Sequence, residues 1–280
     1  MRVLITGSSG FIGQQILKES LKQGHDVFCL KHENINNSNE AIKNFSPEIL
    51  VHCAWGGVSA ADRNNKIIQE ENLNFSIKIL NLYKFKQIIA LGSQDEYGKI
   101  DKIVKESHEL KPLSEYAIAK SNFCNYLQDF SIRNKIVWQW IRIFNTYGEN
   151  QSDNWLIPSI IKKCIGDENV MDTTKGEQQY AYLHVEDLGR AIVKIYGKDN
   201  SGIYNLSSAY PLHLNEIFLK IKKHTESNIK FNFGSIPYRP FQSMMICGDS
   251  SKFINTFGEF ETISLDEGIQ RIIKYYRCHG

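Results

Sequence analysis

Residues 1–13 read MRVLITGSSGFIG. The apolar run at 3–6 is what a short strand buried on both faces requires. Three glycines follow at Gly7, Gly10 and Gly13, with Ser9, Phe11 and Ile12 between them. A sharp strand-to-helix turn needs one glycine. Close approach of the backbone to a pyrophosphate needs another, and helix–strand packing favours the third. The helix behind the turn then offers free N–H groups and its positive dipole end to the anion. Three spaced glycines alone can be an ordinary turn; a strand before and a helix after give the dinucleotide-binding reading.

The alternation continues outward. Further apolar runs lie at 26–30, 49–54, 87–92 and 135–145, with helical patterns near 11–23, 39–46, 62–84 and 114–133. Strand–helix alternation predicts an α/β fold with a doubly wound parallel sheet. After Asn145 the pattern breaks into a helix at 158–164, others at 185–196, 213–225 and 265–277, and a strand at 203–206. The expected division is a cofactor domain over 1–150 and a smaller substrate-binding part over 151–280, with the segment near 183–208 able to return to the main sheet.

Composition narrows the function classes. The 280 residues are 42% hydrophobic, which excludes wholesale disorder. The formal charge is +2, so no electrostatic case exists for nucleic acid or an anionic membrane. Six scattered cysteines form no CxxC pair, which reads as reduced thiols without a metal site. With no signal-peptide pattern and no membrane-length apolar run, a cytoplasmic protein is expected.

Cofactor choice is written at the end of the second strand. An acid there accepts hydrogen bonds from the adenosine ribose and repels a 2′-phosphate. Lys31 occupies that place and His32 follows. A lysine is a point-charge partner for the phosphate, so NADP(H) is expected over NAD(H). Chemistry is written in Tyr116-Ala-Ile-Ala-Lys120. Four-residue spacing on a helix puts both side chains on one face, about 6 Å apart at Cβ. An ammonium beside the phenol is expected to lower its pKa, fitting it for proton exchange with a carbonyl or alcohol oxygen. Upstream, Ser93 in Gly92-Ser-Gln-Asp-Glu-Tyr-Gly98 ends a buried strand and can hydrogen-bond the same oxygen.

With these motifs, the chain resembles the extended branch of the short-chain dehydrogenase/reductase superfamily, whose members act on nucleotide sugars. The resemblance also covers His52-Cys-Ala, Asn72, Arg142-Ile-Phe-Asn-Thr-Tyr-Gly148, Leu183-His-Val-Glu-Asp187 and Asp249-Ser-Ser-Lys252. It implies Ser93, Tyr116 and Lys120 as the catalytic set. It places Cys53, Ala54, Trp55 and Asn72 along the cofactor. It implies substrate contacts from Gln94, Asn145, Trp155, Gln179 and Arg239, and a homodimer through the helices at 62–84 and 114–133. Trp138, Trp140, His184, Cys53 and Cys124 are read as packing or structural residues.

Three departures from the family pattern narrow the reaction. Dehydrating relatives follow the catalytic hydroxyl with Asp then Glu; here Gln94 stands first, so dehydration is disfavoured. The 3,5-epimerase/reductases use a cysteine in this segment, and none lies between 54 and 123. The usual arginine four residues before His184 is Tyr180. The expectation is an NADPH-dependent reductase of a 4-keto sugar nucleotide. An NAD-dependent 4-epimerase is the alternative, and a non-enzymatic NADP sensor is disfavoured by the intact Ser/Tyr/Lys set.

Overall fold

The computed structural model describes residues 1–35, 37–240 and 242–279; the side chains of His32 and His279 lie outside that description. The chain runs β1 (Arg2–Thr6), α1 (Phe11–Lys22), β2 (Asp26–Leu30), α2 (Asn39–Phe45), β3 (Ile49–His52), α3 (Lys66–Leu80), β4 (Gln87–Ser93), α4 (Glu115–Asn134) and β5 (Val137–Ile143). It continues through β6 (Thr146–Tyr147), α5 (Leu156–Ile165), β7 (Val170–Thr173), β8 (Gln179–Ala181), β9 (Leu183–His184), α6 (Val185–Lys194) and β10 (Gly202–Leu206). The remainder is β11 (Pro211–His213), α7 (Leu214–Thr225), β12 (Lys230–Phe233), β13 (Met245–Ile246), α8 (Ser251–Phe257) and α9 (Leu265–His279).

Six strands form one parallel sheet in the order β2-β1-β3-β4-β5-β10. Side-chain alternation splits the sheet residues between two cores. Val3, Ile5, Val51, Ile89 and Ile141 face α1, α6 and α8. Leu4, Leu50, Ile88, Trp138 and Trp140 face α2, α3 and α4. Each fully buried aliphatic side chain contributes roughly 1.5–3 kcal/mol. Near-continuous apolar strands thus fix a sheet covered on both faces.

The chain leaves β1 toward β2, then returns across β1 to form β3. That reversal opens a crevice at the carboxyl ends of β1 and β3, where such sheets bind ligands. Strand 49–54 stops early, at His52, because Cys53 and Ala54 fold around Gly7. Gly7 holds φ +70°, and a Cβ there would lie 2.6 Å from the Ala54 nitrogen. Helix 62–84 begins late, at Lys66, where the Asn65 side chain accepts the Ile68 N–H. Strand 135–145 begins at Val137, since Lys135 is a left-handed cap of α4.

The later segments divide. β10 lies beside β5 and α6 packs on α1, so both belong to the sheet body. α5, α7 and α9 build a separate core around Ile160, Ile217 and Ile272. The small sheet β11-β8-β13 stands with them. Its strands have two or three residues, too few for a readable alternation. On α4, Phe123 is fully buried, and Phe75 of α3, Leu82 just after it, and Tyr126 and Phe130 of α4 pack against the sheet core. The outward apolar residues there are Ile67, Ile118 and Ile132. No helix among the described residues is long and apolar enough to cross a membrane.

Candidate active site

The glycine turn is built to admit an anion. Gly10 caps α1 with no side-chain hydrogen bond. The first N–H groups of the helix, on Phe11 and Ile12, therefore lack intrahelical acceptors. Ser9 is exposed beside them, and its carbonyl accepts Gln14 Nε2 at 2.8 Å. A Cβ on Gly13 would sit 2.0 Å from the Gly7 carbonyl oxygen, so the tight packing of turn on helix depends on that glycine. Bare N–H groups, an open Gly10 and a crevice at the sheet reversal fit a dinucleotide pyrophosphate. Lys31 is exposed immediately after β2.

Asn72 acts on a loop. Its Oδ1 accepts the Gly56 N–H at 2.9 Å and its Nδ2 donates to the Gly56 carbonyl at 3.0 Å. It thereby holds the 53–57 loop beside the crevice. Trp55, on that loop, donates through Nε1 to Gln69 at 2.9 Å.

α4 brings the YxxxK pair to the end of β4. The Ser114 side chain accepts the Ala117 N–H and fixes the first turn. The Tyr116 N–H donates to the Arg63 carbonyl at 2.9 Å. Lys120, buried, donates to the Leu91 carbonyl at 2.7 Å. Its Nζ lies 3.8 Å from the Trp55 ring centre and 5.9 Å from that of Tyr116. Trp55 meets Tyr116 edge to face, with ring centres 6.2 Å apart. Ser93 is buried at the end of β4, where its Oγ accepts the Asp95 N–H at 3.2 Å and it stands beside Tyr116. The three sequence-predicted catalytic residues are therefore brought together at the end of β4.

The electrostatics correct one expectation. Tyr116 is not made more acidic in this arrangement. Burial, then the Asp95 carboxylate, push its pKa well above the usual phenol value, against the pull of Ser93 and Arg63. The cost of burying a charge falls on the lysine as well. Burial lowers Lys120 to about 7, while Glu96 and Cys53 oppose the fall. An ammonium stacked on Trp55 and bonded to Leu91 does not reach the phenol as the spacing alone suggests.

Both acids after Gln94 are engaged. Asp95 pairs with Arg63, whose guanidinium lies 5.2 Å from the Tyr116 ring centre. Glu96 is fully buried and pairs with Arg142 at 2.8 Å. The Gln94 Oε1 atom is buried with no hydrogen-bond partner among the described residues. Burial pushes the Cys53 thiol up to about 12, so it stays protonated at neutral pH. Arg63 escaped the sequence reading because it lies in an irregular loop, with no motif around it.

The other predicted substrate residues are spread over the C-terminal part. Asn145 donates to the Ala181 carbonyl at 3.4 Å. Trp155 caps α5 and is half exposed. Gln179 on β8 bonds His213 at 3.0 Å. Arg239 is exposed near Tyr180, whose hydroxyl accepts Gln242 Nε2 at 2.6 Å. Gln178 is buried against Thr174, whereas Gln179 is half-buried and Arg239 exposed. Segment 98–101 ties this part to the Ser93 turn: Ile100 N donates to Ser243 Oγ at 3.0 Å and Met244 N to Asp101 at 2.8 Å. His184, Trp138 and Trp140 are buried, as read.

Comparison with known proteins agrees with this fold. The family model described as "NAD dependent epimerase/dehydratase family" matches residues 3–207. The dTDP-6-deoxy-L-talose 4-dehydrogenase (NAD(+)) of Aggregatibacter actinomycetemcomitans is 24% identical over 89% of this chain and 99% of its own. The CDP-abequose synthase of Salmonella muenchen is 23% identical over 97% of each chain. Among solved structures, the UDP-glucose 4-epimerase of Thermotoga maritima, determined with UDP-glucose, has the same fold at TM-score 0.88 and 21% identity, covering 99% of both chains.

Proposed function

The chain belongs to the NAD-dependent epimerase/dehydratase family of NAD(P)-dependent enzymes, and on that premise we propose that it reduces a 4-keto, 6-deoxy sugar nucleotide with NADPH. The observation that carries this reading is the placement of Tyr116 against Trp55 at the end of β4, while both neighbouring acids are paired to arginines. Dehydration needs a free acid and base near the sugar; Asp95 and Glu96 are paired to Arg63 and Arg142. Epimerisation at a carbon next to the ketone needs a proton shuttle, and the nearby Cys53 is held as a thiol.

In the reduction, Gly7, Ser9, Gly10, Phe11, Ile12 and Gly13 hold the pyrophosphate, and Lys31 the 2′-phosphate. When bound, the nicotinamide supplies hydride to the carbonyl carbon. Ser93 donates a hydrogen bond to the carbonyl oxygen. As the carbon gains its new C–H bond, the π pair moves to that oxygen and takes the Tyr116 proton, giving an alcohol. The phenolate left on Tyr116 regains a proton from solvent. Lys120 holds the nicotinamide ribose, and its charge acts on that phenolate from 5.9 Å off the ring centre without a direct hydrogen bond. Asn145, Gln179 and Arg239 engage the diphosphate, and Trp155 walls the base.

The Aggregatibacter relative's name describes hydride exchange at the same ring position, which favours this reading. That name specifies NAD(+), so the case for NADPH rests on Lys31. A charge-assisted hydrogen bond contributes on the order of 1.5–3 kcal/mol, about tenfold to a hundredfold in affinity. Lys31→Asp is expected to reduce or invert a preference for NADPH over NADH, with Tyr116 chemistry retained; equal binding of both cofactors by the unmodified chain would remove this support. A 4-epimerase is the second reading, favoured by the likeness to the Thermotoga enzyme. It retains its NAD through turnover, whereas a reductase releases oxidised cofactor. The absorption spectrum of the purified protein separates the two: cofactor locked in place favours the epimerase.

A further inference from the structure

Beneath the Ser93 turn lies a buried ion pair that the chemistry above does not use. One Glu96 oxygen accepts the Ser93 N–H at 2.8 Å and Trp140 Nε1–H at 3.0 Å. The other accepts Arg142 Nε–H at 2.8 Å. Arg142 Nη1 donates to the Tyr97 hydroxyl at 3.0 Å, and that hydroxyl donates to Asn205 Oδ1 at 2.7 Å. Gly92 makes the room: a Cβ there would come within 2.3 Å of Trp140 Nε1 and 2.6 Å of Glu96 Oε1.

We propose that Glu96 is a positioning residue: through the Ser93 N–H it anchors the end of β4, and through Trp140 Nε1–H, whose ring centre lies 6.0 Å from Lys120 Nζ, it sets a buried negative charge on the catalytic side of the sheet. The inference rests on the reductase reading, because carbonyl reduction needs Tyr116 as the phenol and Lys120 as the ammonium. A pair that served only to hold the fold could be satisfied by neutral hydrogen bonds. Buried ion pairs are weak sources of stability, since desolvation offsets their attraction.

The groups facing Lys120 and Tyr116 support the assignment. Around Lys120 stand Glu96, Cys53, His52, Trp55, Trp140 and Tyr116. His52 is neutral, because burial lowers it to about 3. Cys53 is a thiol, which leaves Glu96 as the anion opposing burial at the lysine. Around Tyr116 stand Asp95, Arg63, Glu96 and Ser93. Asp95 is compensated by its pair with Arg63. Cys124 lies close to both Glu96 and Arg142, and burial holds it as a thiol.

The test replaces both charges together, Glu96→Gln with Arg142→Gln, so that no lone charge is left buried. The first readout needs no substrate. Trp55 fluorescence reports the charge on Lys120, whose Nζ lies 3.8 Å from its ring centre. Subtracting the titration of a Trp55→Phe protein isolates that signal. The midpoint is expected near the Lys120 value of about 7 in the unmodified chain. In the double variant it should fall by about one pH unit or more. The alkaline limb of NADPH-dependent reduction should move the same way. Arg142→Lys, which keeps both charges, should restore the midpoint. A folded double variant with an unmoved midpoint overturns the proposal. If the double variant does not fold, the Glu96→Gln protein is read by the same criterion. A midpoint that moves in a protein reducing no 4-keto sugar nucleotide leaves the positioning role standing and removes the reductase reading.

Discussion

Tyr116→Phe is expected to slow carbonyl reduction toward the upper end of the roughly 10²–10⁴-fold range for general acid–base groups. The ring stays, with its edge-to-face contact to Trp55 and the Arg63 guanidinium over it. Only the proton donor is lost. Cofactor titration should therefore be nearly unchanged while the rate collapses, a loss of stabilisation confined to the transition state. Steady-state rates and a cofactor binding curve on the same preparation check it. Turnover at the wild-type rate removes Tyr116 from the reaction.

Lys120→Met is expected to weaken cofactor binding and rate together, each by about tenfold to a hundredfold, the range for a hydrogen bond to a charged group. Met keeps most of the stem volume against Trp55 but donates nothing. Stability should move the other way. In the folded chain Lys120 titrates near 7, below its unfolded value. Folding therefore opposes its protonation. That penalty is fully present below pH 7 and fades as pH rises toward the unfolded pKa. Lys120→Met should melt at or above the wild-type temperature, with a larger gain at pH 6 than at pH 9. Loss of activity with a lowered melting point would mean that the lysine is structural.

Much of the site was readable because its chemistry is local in sequence. The glycine turn needs seven residues and the YxxxK pair five, and each brings its own geometry. The apolar runs placed the strands of the main sheet because burial on both faces leaves little room for polar residues. What escaped depends on distance. Glu96 and Arg142 are 46 residues apart, and no pattern in either segment announces the pair. Glu96 reads along the chain as a spare acid beside a catalytic hydroxyl; in the fold it is sealed under Gly92 and Trp140. The fall expected in the Tyr116 pKa failed for the same reason. Helical spacing brings Lys120 to the right face, but Trp55 and the Leu91 carbonyl, from other elements, decide where the ammonium rests. Strands β6 to β9 and β11 to β13 have two to four residues each and are set by pairing partners, not by periodicity.

The most direct measurement follows NADPH absorbance when the purified protein is offered 4-keto-6-deoxy sugars carried on dTDP, CDP, GDP and UDP. At least one is expected to be consumed with one NADPH oxidised per C4 hydroxyl formed, the oxidised cofactor being released at each turn. No NADPH oxidation with any of the four, together with interconversion of a UDP-sugar by a protein that keeps its NAD, would contradict the reductase reading.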